Sequence, residues 1–277
     1  MNDMEKSVEE HYTRGNLKEA ILEGLKAGGI NLEALKREDL APMDAFHIRG
    51  LEATRELTEL AGLAPGMRVL DVGSGLGGSA RFMAAEYGSH VTGVDLTEEF
   101  CTVATMLSEM LGLEDRSEFL HCSALDLPFE DGRFDRVWTE HVQMNISDKH
   151  RMYSEIFRVL KPGGKFMFHD VLAGKGGAAL YPAPWAQDPS NSTLIAPEDL
   201  QELLQSLGLK VVHWEDCTQK STDWFRKRVE NIKKHGPPIL GSHIIHGSQA
   251  KIRFENQVRN LAENRVTVVQ AALEKPD

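Results

Sequence analysis

A glycine-rich segment that follows a short apolar run offers the clearest chemistry in this chain of 277 residues. Residues 67–78 read MRVLDVGSGLGG, so branched apolar residues give way to glycines and then to a helical run. A glycine-rich turn between a strand and a helix lets the backbone approach a bound ligand closely. Gly73, Gly75 and Gly78 also fit the G-x-G-x-x-G dinucleotide pattern, which alone is a weak signal. Asp71 changes the interpretation, because a carboxylate there repels a pyrophosphate and attracts a cation such as an ammonium or a sulfonium.

Polar residues follow at the ends of the next two predicted strands. Asp95 ends the run VTGVD, about 20 residues after the glycine turn, and an acid at this spacing typically accepts both hydroxyls of a ribose. The alternative is that Asp95 only caps the following helix. The segment CSALDLPFEDGRFDRV places Ser123, Ala124 and Leu125 at the same edge of the sheet, where they would hold an adenine. An ordinary loop with apolar residues filling the core is the other interpretation.

Alternating strand-like and helix-like runs must position these residues. The strand-like runs lie at 67–72, 90–95, 117–122, 134–141 and 164–172, and the helix-like runs between them at 78–87, 98–111 and 148–159. This alternation predicts βαβ units and a parallel sheet. Later runs at 209–216 and 265–275 predict two more strands of the antiparallel type. The predicted fold is therefore α/β, a Rossmann-like seven-stranded mixed sheet with helices on both faces.

Segments outside the predicted sheet indicate two helical additions. Residues 1–62 carry amphipathic helices before the first strand and predict an N-terminal helical lid. Residues 218–263 carry two amphipathic helices and predict a helical substrate cap, inserted before the last strand. The sheet-containing domain then comprises residues 63–217 and 264–277. Residues 173–195 are rich in Gly, Pro, Ala and Ser and predict a long irregular segment with a functional role.

Composition narrows the class of protein further. The net charge of −11 and the pI near 5.5 argue against a general nucleic-acid or membrane-surface binder. The three cysteines lie far apart without a CxxC pair, which predicts free thiols in a reducing cytoplasm. The polar, acidic N-terminal residues do not resemble a signal peptide, and no window is long and apolar enough to span a bilayer. We therefore predict a cytoplasmic protein with no nucleic-acid partner and no membrane partner.

Four motifs in order resemble one enzyme family. The motifs VLDVGSGLGG, VTGVD, SALDLPFEDGRFDRV and LKPGG resemble those of the class I S-adenosylmethionine-dependent methyltransferases over roughly residues 64–172. The resemblance implies S-adenosyl-L-methionine as the cofactor, with Asp71 near its methionyl amino end and Asp95 on its ribose hydroxyls. Ser123 departs from the family pattern, because many members carry Asp at this position. With Ser123 no charged side chain at this position would support the adenine amine. The implied cofactor-binding residues are Asp71, Gly73, Gly75, Asp95, Leu96, Ser123, Ala124, Leu125 and His141.

Three further segments resemble the sarcosine/dimethylglycine N-methyltransferase-like group, namely MDAFHIRG, WTEHVQMNISDK and NRVTVVQAALEK. This resemblance implies a small-molecule methyl acceptor, and we predict methyl transfer to an amine nitrogen by direct displacement. An O-, S- or C-methyltransferase is the alternative that keeps the cofactor. Two other activities are less favoured. One is an NAD-dependent oxidoreductase, because Asp71 would repel the pyrophosphate of NAD, and the other is a protein that binds the cofactor without catalysis. The exposed faces of the predicted cap helices favour a homodimer.

Polar residues after the fourth predicted strand are the candidate catalytic group. His141 either contacts the cofactor or deprotonates the acceptor, or it only orders the residues around it. Gln143 and Asn145 lie in an apolar context and are predicted to point into the pocket, although Asn145 also suits a helix cap. Methyl transfer from a sulfonium requires no metal, and we predict none. His243 and His246 have the spacing of a metal pair, but nothing else in the sequence supports a metal site.

Candidate substrate residues come from the helical additions and the irregular segment. Arg49 would bind a substrate carboxylate through two hydrogen bonds, or it is an ordinary surface arginine. The aromatic faces of Tyr181, Trp185 and Trp224 would attract a methylated ammonium group by about 0.5–2 kcal/mol each. Packing of the cap onto the sheet is the more ordinary role for these three side chains. The predicted substrate residues are Tyr12, Phe46, His47, Arg49 and Trp185.

Overall fold

Seven strands form one sheet in the computed structural model, which describes residues 1–44, 46–236, 238–241 and 243–277. The strands are β1 (Arg68–Val72), β2 (His90–Asp95), β3 (Ser117–His121), β4 (Phe134–Glu140), β5 (Leu160–Ala173), β6 (Lys210–Asp216) and β7 (Val266–Glu274). Their order across the sheet is β3-β2-β1-β4-β5-β7-β6. Strands β1 to β5 pair in parallel, and β7 pairs antiparallel with both β5 and β6. The predicted seven-stranded mixed sheet is confirmed.

Among these strands, β7 alone runs against the others. The sequence predicted two added strands of the antiparallel type, and both β6 and β7 form antiparallel pairs. Strand β6 is hydrogen-bonded only to β7 and runs antiparallel to it, so β6 points in the same direction as β1 to β5. The last strand is thus inserted in reverse between β5 and β6. The chain reaches that position only after the helical segment that follows β6.

Helices cover both faces of the sheet, as predicted. They are α1 (Asp3–Tyr12), α2 (Leu17–Ala27), α3 (Arg37–Asp44), α4 (Leu51–Ala61), α5 (Gly78–Tyr87), α6 (Glu98–Met110), α7 (Lys149–Val159), α8 (Pro197–Ser206), α9 (Thr218–His235), α10 (His243–His246) and α11 (Ala250–Ala262). Successive residues of a strand face opposite sides. Leu70 of β1 packs with Ile156 of α7 and Leu204 of α8, whereas Val69 packs with Leu57 of α4. Both faces of β1 are therefore buried, as a central parallel strand requires.

The N-terminal helices pack against α6 at the side of the sheet. Leu17, Ile21 and Leu25 recur one turn apart on α2 and are fully buried in a cluster with Leu107 of α6. Helix α2 stops directly before Gly28. Side chains from α10 join the same cluster, so the N-terminal helices and the helices after β6 share one apolar core. The lid and cap boundaries remain predictions.

The segment between β6 and β7 is helical, as the sequence indicated. The hydroxyls of Thr218, at the start of α9, and Thr267, in β7, lie 2.6 Å apart. Helix α11 ends at Ala262, directly before β7. Helix α9 therefore leaves the sheet where α11 returns to it, and the two helices run antiparallel. Across the described ranges of the chain, no helix is long and apolar enough to cross a bilayer.

Candidate active site

A cavity opens at the carboxyl ends of β1, β2 and β4, and residues from the N-terminal helices and from α9 to α11 complete its wall. Open α/β sheets bind their ligands at this position. Most of the residues predicted from the sequence line this cavity. They are Tyr12, Phe46, His47, Asp71, Gly73, Gly75, Asp95, Leu96, Ala124, His141, Asn145 and Trp185.

Asp71 places a buried carboxyl group in the wall of this cavity. The residue is 2% exposed, and its Oδ2 atom has no hydrogen-bond partner in the described part of the chain. Burial, with the nearby carboxylates of Glu140 and Asp95, holds the pKa of Asp71 well above its usual range. A buried carboxylate among other acids is costly unless a cation approaches it. The three acids therefore fit a ligand that carries an ammonium and a sulfonium group, as S-adenosylmethionine does.

Asp95 fixes the glycine turn through the same carboxylate that was predicted to bind a ribose. Its Oδ2 accepts a hydrogen bond from the Gly75 amide, and its Oδ1 accepts one from the Thr97 amide, each at 2.8 Å. Every carboxylate oxygen can accept a second hydrogen bond, so hydroxyl groups can still bind here. The N-cap residue of α6 is Thr97, so Asp95 precedes the cap by two residues and is not the helix cap itself. Gly73 and Gly75 have φ angles of +72° and +53°, which glycine adopts without strain.

An acid that the sequence reasoning missed lies beside the loop predicted to hold adenine. The Ser123 hydroxyl donates a hydrogen bond to the carboxylate of Glu5 on α1 and accepts one from the Leu125 amide at 3.0 Å. Glu5 is buried, and both Glu5 and Ala124 line the cavity. Ser123 and Leu125 themselves stand beside the wall. A distant helix thus places a carboxylate beside Ser123.

Three histidines and Glu140 cluster where β4 and β5 end. The ring centroids of His47, His141 and His169 lie 5.5 to 6.1 Å apart. His141 lines the cavity, and its Nε2 atom accepts a hydrogen bond from the Ile48 amide at 3.4 Å. The His47 Nε2 atom lies 3.3 Å from the Glu140 carboxylate. Burial holds the pKa of His141 well below its usual range, so this ring is neutral at pH 7.

Gln143 and Arg49, like Ser123 and Leu125, are predicted site residues that do not line the cavity wall. Gln143 is fully buried, its Nε2 donates to the Val171 carbonyl at 2.5 Å, and its amide donates to the Asp170 carboxylate at 3.1 Å. Arg49 donates to both carboxylate oxygens of Glu56. These donors are therefore occupied within the fold, whereas the buried Oε1 atom of Gln143 has no hydrogen-bond partner in the described part of the chain. This geometry gives no support to a catalytic role for Gln143 or a substrate role for Arg49.

Tyr12 and Asn145 connect α1 to the irregular segment at the edge of the cavity. The Tyr12 hydroxyl donates to the Asn145 Oδ1 atom at 3.3 Å. The Asn145 Nδ2 atom donates to the carbonyls of Trp185 and Asn191, each at 2.9 Å. Burial raises the pKa of Tyr12, so its hydroxyl is protonated at any ordinary pH. These bonds hold α1 and the irregular segment together beside the cavity.

Helices α9 and α11 contribute aromatic and polar side chains to the wall: Trp224, Phe225, Arg228, Phe254 and Gln257. The sequence reasoning identified Trp224 and missed the other four. The sequence did carry a signal for them. Each helix has a phenylalanine followed three positions later by a polar residue, Phe225 and Arg228 in α9 and Phe254 and Gln257 in α11. This spacing places the two side chains on one face of the helix. Among the described residues, no group of three or more His, Cys, Asp or Glu side chains could hold a metal ion. The side chain of His243, named in the metal-pair alternative, lies outside the described part.

Comparison with known proteins identifies relatives of this chain. Residues 70–168 match the methyltransferase domain family. The glycine/sarcosine/dimethylglycine N-methyltransferase of Actinopolyspora halophila is 33% identical over 209 residues, which cover 74% of this chain and 36% of that protein. The sarcosine/dimethylglycine N-methyltransferase of Halorhodospira halochloris is 29% identical over 211 residues, covering 76% and 74%. The structure of Haemonchus contortus phosphoethanolamine N-methyltransferase 2 with S-adenosyl-L-methionine matches with a TM-score of 0.72 at 24% identity, covering 84% and 54%.

The fold, the site and these matches together define the class of protein. The chain contains a class I S-adenosylmethionine-dependent methyltransferase domain, as its motifs predicted. Its distant homologues include the sarcosine/dimethylglycine and the phosphoethanolamine N-methyltransferases. Other matches are C- and O-methyltransferases, so homology leaves the acceptor atom open. The chain spans less than half the length of the first curated relatives that it matches.

Proposed function

We propose that this chain transfers the methyl group of S-adenosylmethionine to the amine nitrogen of a small molecule. The observation that carries the proposal is the unpartnered Asp71 carboxylate, in a cavity that combines an acidic wall with an aromatic one. S-adenosylmethionine supplies an electrophilic methyl group on a cationic sulfur. In this proposal Asp71 and Glu140 attract the methionyl ammonium, Asp95 accepts the ribose hydroxyls, and Glu5 accepts from the adenine amine.

An amine acceptor fits the groups near the predicted methyl position. A neutral amine attacks the methyl group without a general base, whereas a hydroxyl requires one. The Nε2 lone pair of His141 faces the Ile48 amide, which leaves this atom poorly placed to take a proton from an acceptor. The ring of Trp185 in the wall would stabilise a methylated ammonium product by about 0.5–2 kcal/mol. Alignment of the acceptor and exclusion of water then supply most of the rate enhancement.

Calorimetry with S-adenosylhomocysteine tests the cofactor half of the proposal. We expect the protein to bind this product and Asp95→Ala to abolish binding, because the variant loses the ribose acceptors and the anchor of the Gly75 amide. Asp115→Ala, which removes an exposed carboxylate beyond α6, is the matched control and should bind normally. Undiminished binding by Asp95→Ala would refute the ribose assignment.

Methylation of a panel of small molecules tests the acceptor half. The panel contains sarcosine, N,N-dimethylglycine and ethanolamine derivatives, with alcohols, thiols and carboxylic acids for comparison, and mass spectrometry reports the methylated product. We expect product from at least one amine and none from the oxygen and sulfur acceptors. Methylation of an oxygen or a sulfur with no amine modified would replace this proposal with the alternative activity.

A further inference from the structure

Gln257 is a buried polar side chain in the cavity wall whose hydrogen bonds are missing. The residue is 2% exposed and lines the cavity from α11. Neither its Nε2 nor its Oε1 atom has a hydrogen-bond partner in the described part of the chain. Buried polar groups without a hydrogen-bond partner are rare in folded proteins, so each one calls for an explanation such as a bound water, ion or ligand. Gln257 therefore presents a donor and an acceptor to whatever occupies this part of the cavity.

Arg228 is a cation in the same wall that has no acidic partner among the described residues. Its guanidinium lies 5.2 Å from the centre of the Trp224 ring on the same helix. Burial alone lowers its pKa, and no carboxylate opposes that effect. A guanidinium that is partly removed from water gains most from a carboxylate or a phosphate, which accept two parallel hydrogen bonds. Arg228 thus has the charge and the geometry of an anion-binding residue.

The packing of α9 against α11 orders these two side chains along the cavity. The rings of Phe225 and Phe254 touch where the helices meet, with centroids 5.4 Å apart. Arg228 follows Phe225 by one turn along α9 and so lies farther from the sheet. Gln257 follows Phe254 by one turn along α11, which runs back towards β7, and so lies closer to the sheet. A rise of 1.5 Å per residue puts each side chain about 4.5 Å from the aromatic contact, on opposite sides of it.

Charge therefore changes sign along the cavity. Asp71, Asp95 and Glu140 gather at the sheet edge, while Arg228 lies beyond the aromatic contact. An acceptor that is an amine at one end and an anion at the other would align with this field. Its anionic end would be repelled by the acids and attracted by the arginine.

We propose that the wall formed by α9 and α11 is an acceptor subsite for an amine that also carries a carboxylate or a phosphate. Arg228 binds the anionic group, the rings of Phe225 and Phe254 contact the connecting carbons, and Gln257 hydrogen-bonds to the polar end nearer the sheet. This inference rests on the proposed methyl transfer to an amine and adds the group that selects among amines. Arg228 and Gln257 act here as specificity-determining residues.

Steady-state methylation of three matched acceptors tests the subsite: N,N-dimethylglycine carries a carboxylate, phospho-N,N-dimethylethanolamine a phosphate, and N,N-dimethylethanolamine no anion. We expect Arg228→Gln to raise KM for the preferred anionic acceptor at least tenfold with little change in kcat, and to leave the neutral acceptor unaffected. Arg228→Lys should restore part of the loss, because it keeps the charge. The anionic acceptor with the lower KM in the wild type shows whether the subsite prefers a carboxylate or a phosphate.

Arg226→Gln is the control, since Arg226 lies exposed on the same helix and pairs with Asp223 at 2.7 Å. It should leave KM unchanged for all three acceptors. Equal KM changes for the anionic and the neutral acceptors in Arg228→Gln would overturn the subsite.

A binding measurement separates this inference from the proposed function. Calorimetry of protein saturated with S-adenosylhomocysteine reports whether the two anionic amines bind without turnover. Absence of such binding, or binding that Arg228→Gln does not weaken, overturns the subsite. Arg228-dependent binding without methylation of any amine instead overturns the proposed reaction and leaves the subsite standing.

Discussion

The hydroxyl of Ser123 donates a hydrogen bond to the carboxylate of Glu5, a residue 118 positions earlier in the chain. This bond joins the loop after β3 to the first turn of α1, and both residues lie at or beside the cavity. Glu5 also accepts a hydrogen bond from the Asn2 amide at 2.7 Å, which fixes the start of α1. The N-terminal helix therefore takes part in the site that the glycine turn begins.

Replacement of Glu5 by Gln tests whether this carboxylate contributes to cofactor binding. Gln can keep the capping interaction at the start of α1, so the change removes the charge with little effect on the helix. We expect the Kd for S-adenosylhomocysteine to rise about tenfold, because a hydrogen bond to a charged group contributes about 1.5–3 kcal/mol. Calorimetry measures the change. Glu10→Gln, at an exposed position of α1, should bind normally, and an unchanged Kd in Glu5→Gln would place Glu5 outside the cofactor site.

Gly73→Ala should destabilise the protein more than the equivalent change at Gly15. Both glycines have φ near +75°, where an added Cβ costs about 1–2 kcal/mol. At Gly73 the new Cβ would also meet the side chain of Val142, within 3.1 Å of its Cγ1, whereas nothing lies within 4 Å at Gly15. The overlap adds about 1–3 kcal/mol. Urea unfolding measures both losses, and equal losses would mean that Val142 moves aside without cost.

His141→Asn separates an amine acceptor from an oxygen acceptor. His141 has a φ of +59°, which Asn tolerates well, so the loop should keep its backbone. With an amine acceptor we expect kcat to fall by less than about tenfold, since no general base is needed. With an oxygen acceptor, loss of the general base would lower kcat by a factor of about 10²–10⁴. Initial rates measure the difference, with His150→Asn at an exposed position as the control.

Acid should destabilise the protein through His246. This side chain is 7% exposed, and burial, assisted by the positive charge of Arg253, lowers its pKa to about 3. Below pH 6.5 the unfolded chain takes up a proton that the folded chain does not, so this contribution to stability is lost as pH falls towards 3. The stability of the wild type relative to His246→Gln should decrease by about 1.4 kcal/mol per pH unit between pH 6 and 4.

Urea unfolding at several pH values measures this difference. His90→Gln, at an exposed position, should show no comparable pH dependence relative to the wild type. A constant difference between the wild type and His246→Gln would show that His246 takes up its proton over the same pH range in the folded and the unfolded protein.

Local patterns predicted the sheet and one half of the site. Val69 and Leu70 had to face opposite layers, and the glycine turn had to follow β1, because both features follow from the geometry of neighbouring residues. Asp71 and Asp95 were predicted correctly to lie in one place, since parallel strands bring their carboxyl ends to the same edge. Their roles towards the cofactor remain predictions.

For some residues the structure does not support the role that the sequence predicted, because their hydrogen-bond partners are not visible in any local pattern. Arg49 had the chemistry of a substrate ligand, but α4 places Glu56 within reach of its guanidinium. Gln143 stood in an apolar run, which marked it as buried but gave no direction for its side chain, and the fold turned it towards Val171. A hydrogen-bonding group pairs with whichever partner lies close to it in space, so separation along the chain does not predict which residue that partner is.

The sequence by itself determined the class of fold and the methyl donor, and it predicted the sheet edge at which that donor would bind, because these rest on strand periodicity and on motifs of neighbouring residues. Only the tertiary structure decided which side chains complete the site. Glu5 reaches the loop of Ser123 from α1, and the antiparallel packing of α9 on α11 brings Arg228 and Gln257 into one wall. The physical reason is that recognition of the acceptor depends on unpaired charge and unpaired hydrogen-bonding groups, and pairing is settled only when distant segments pack together.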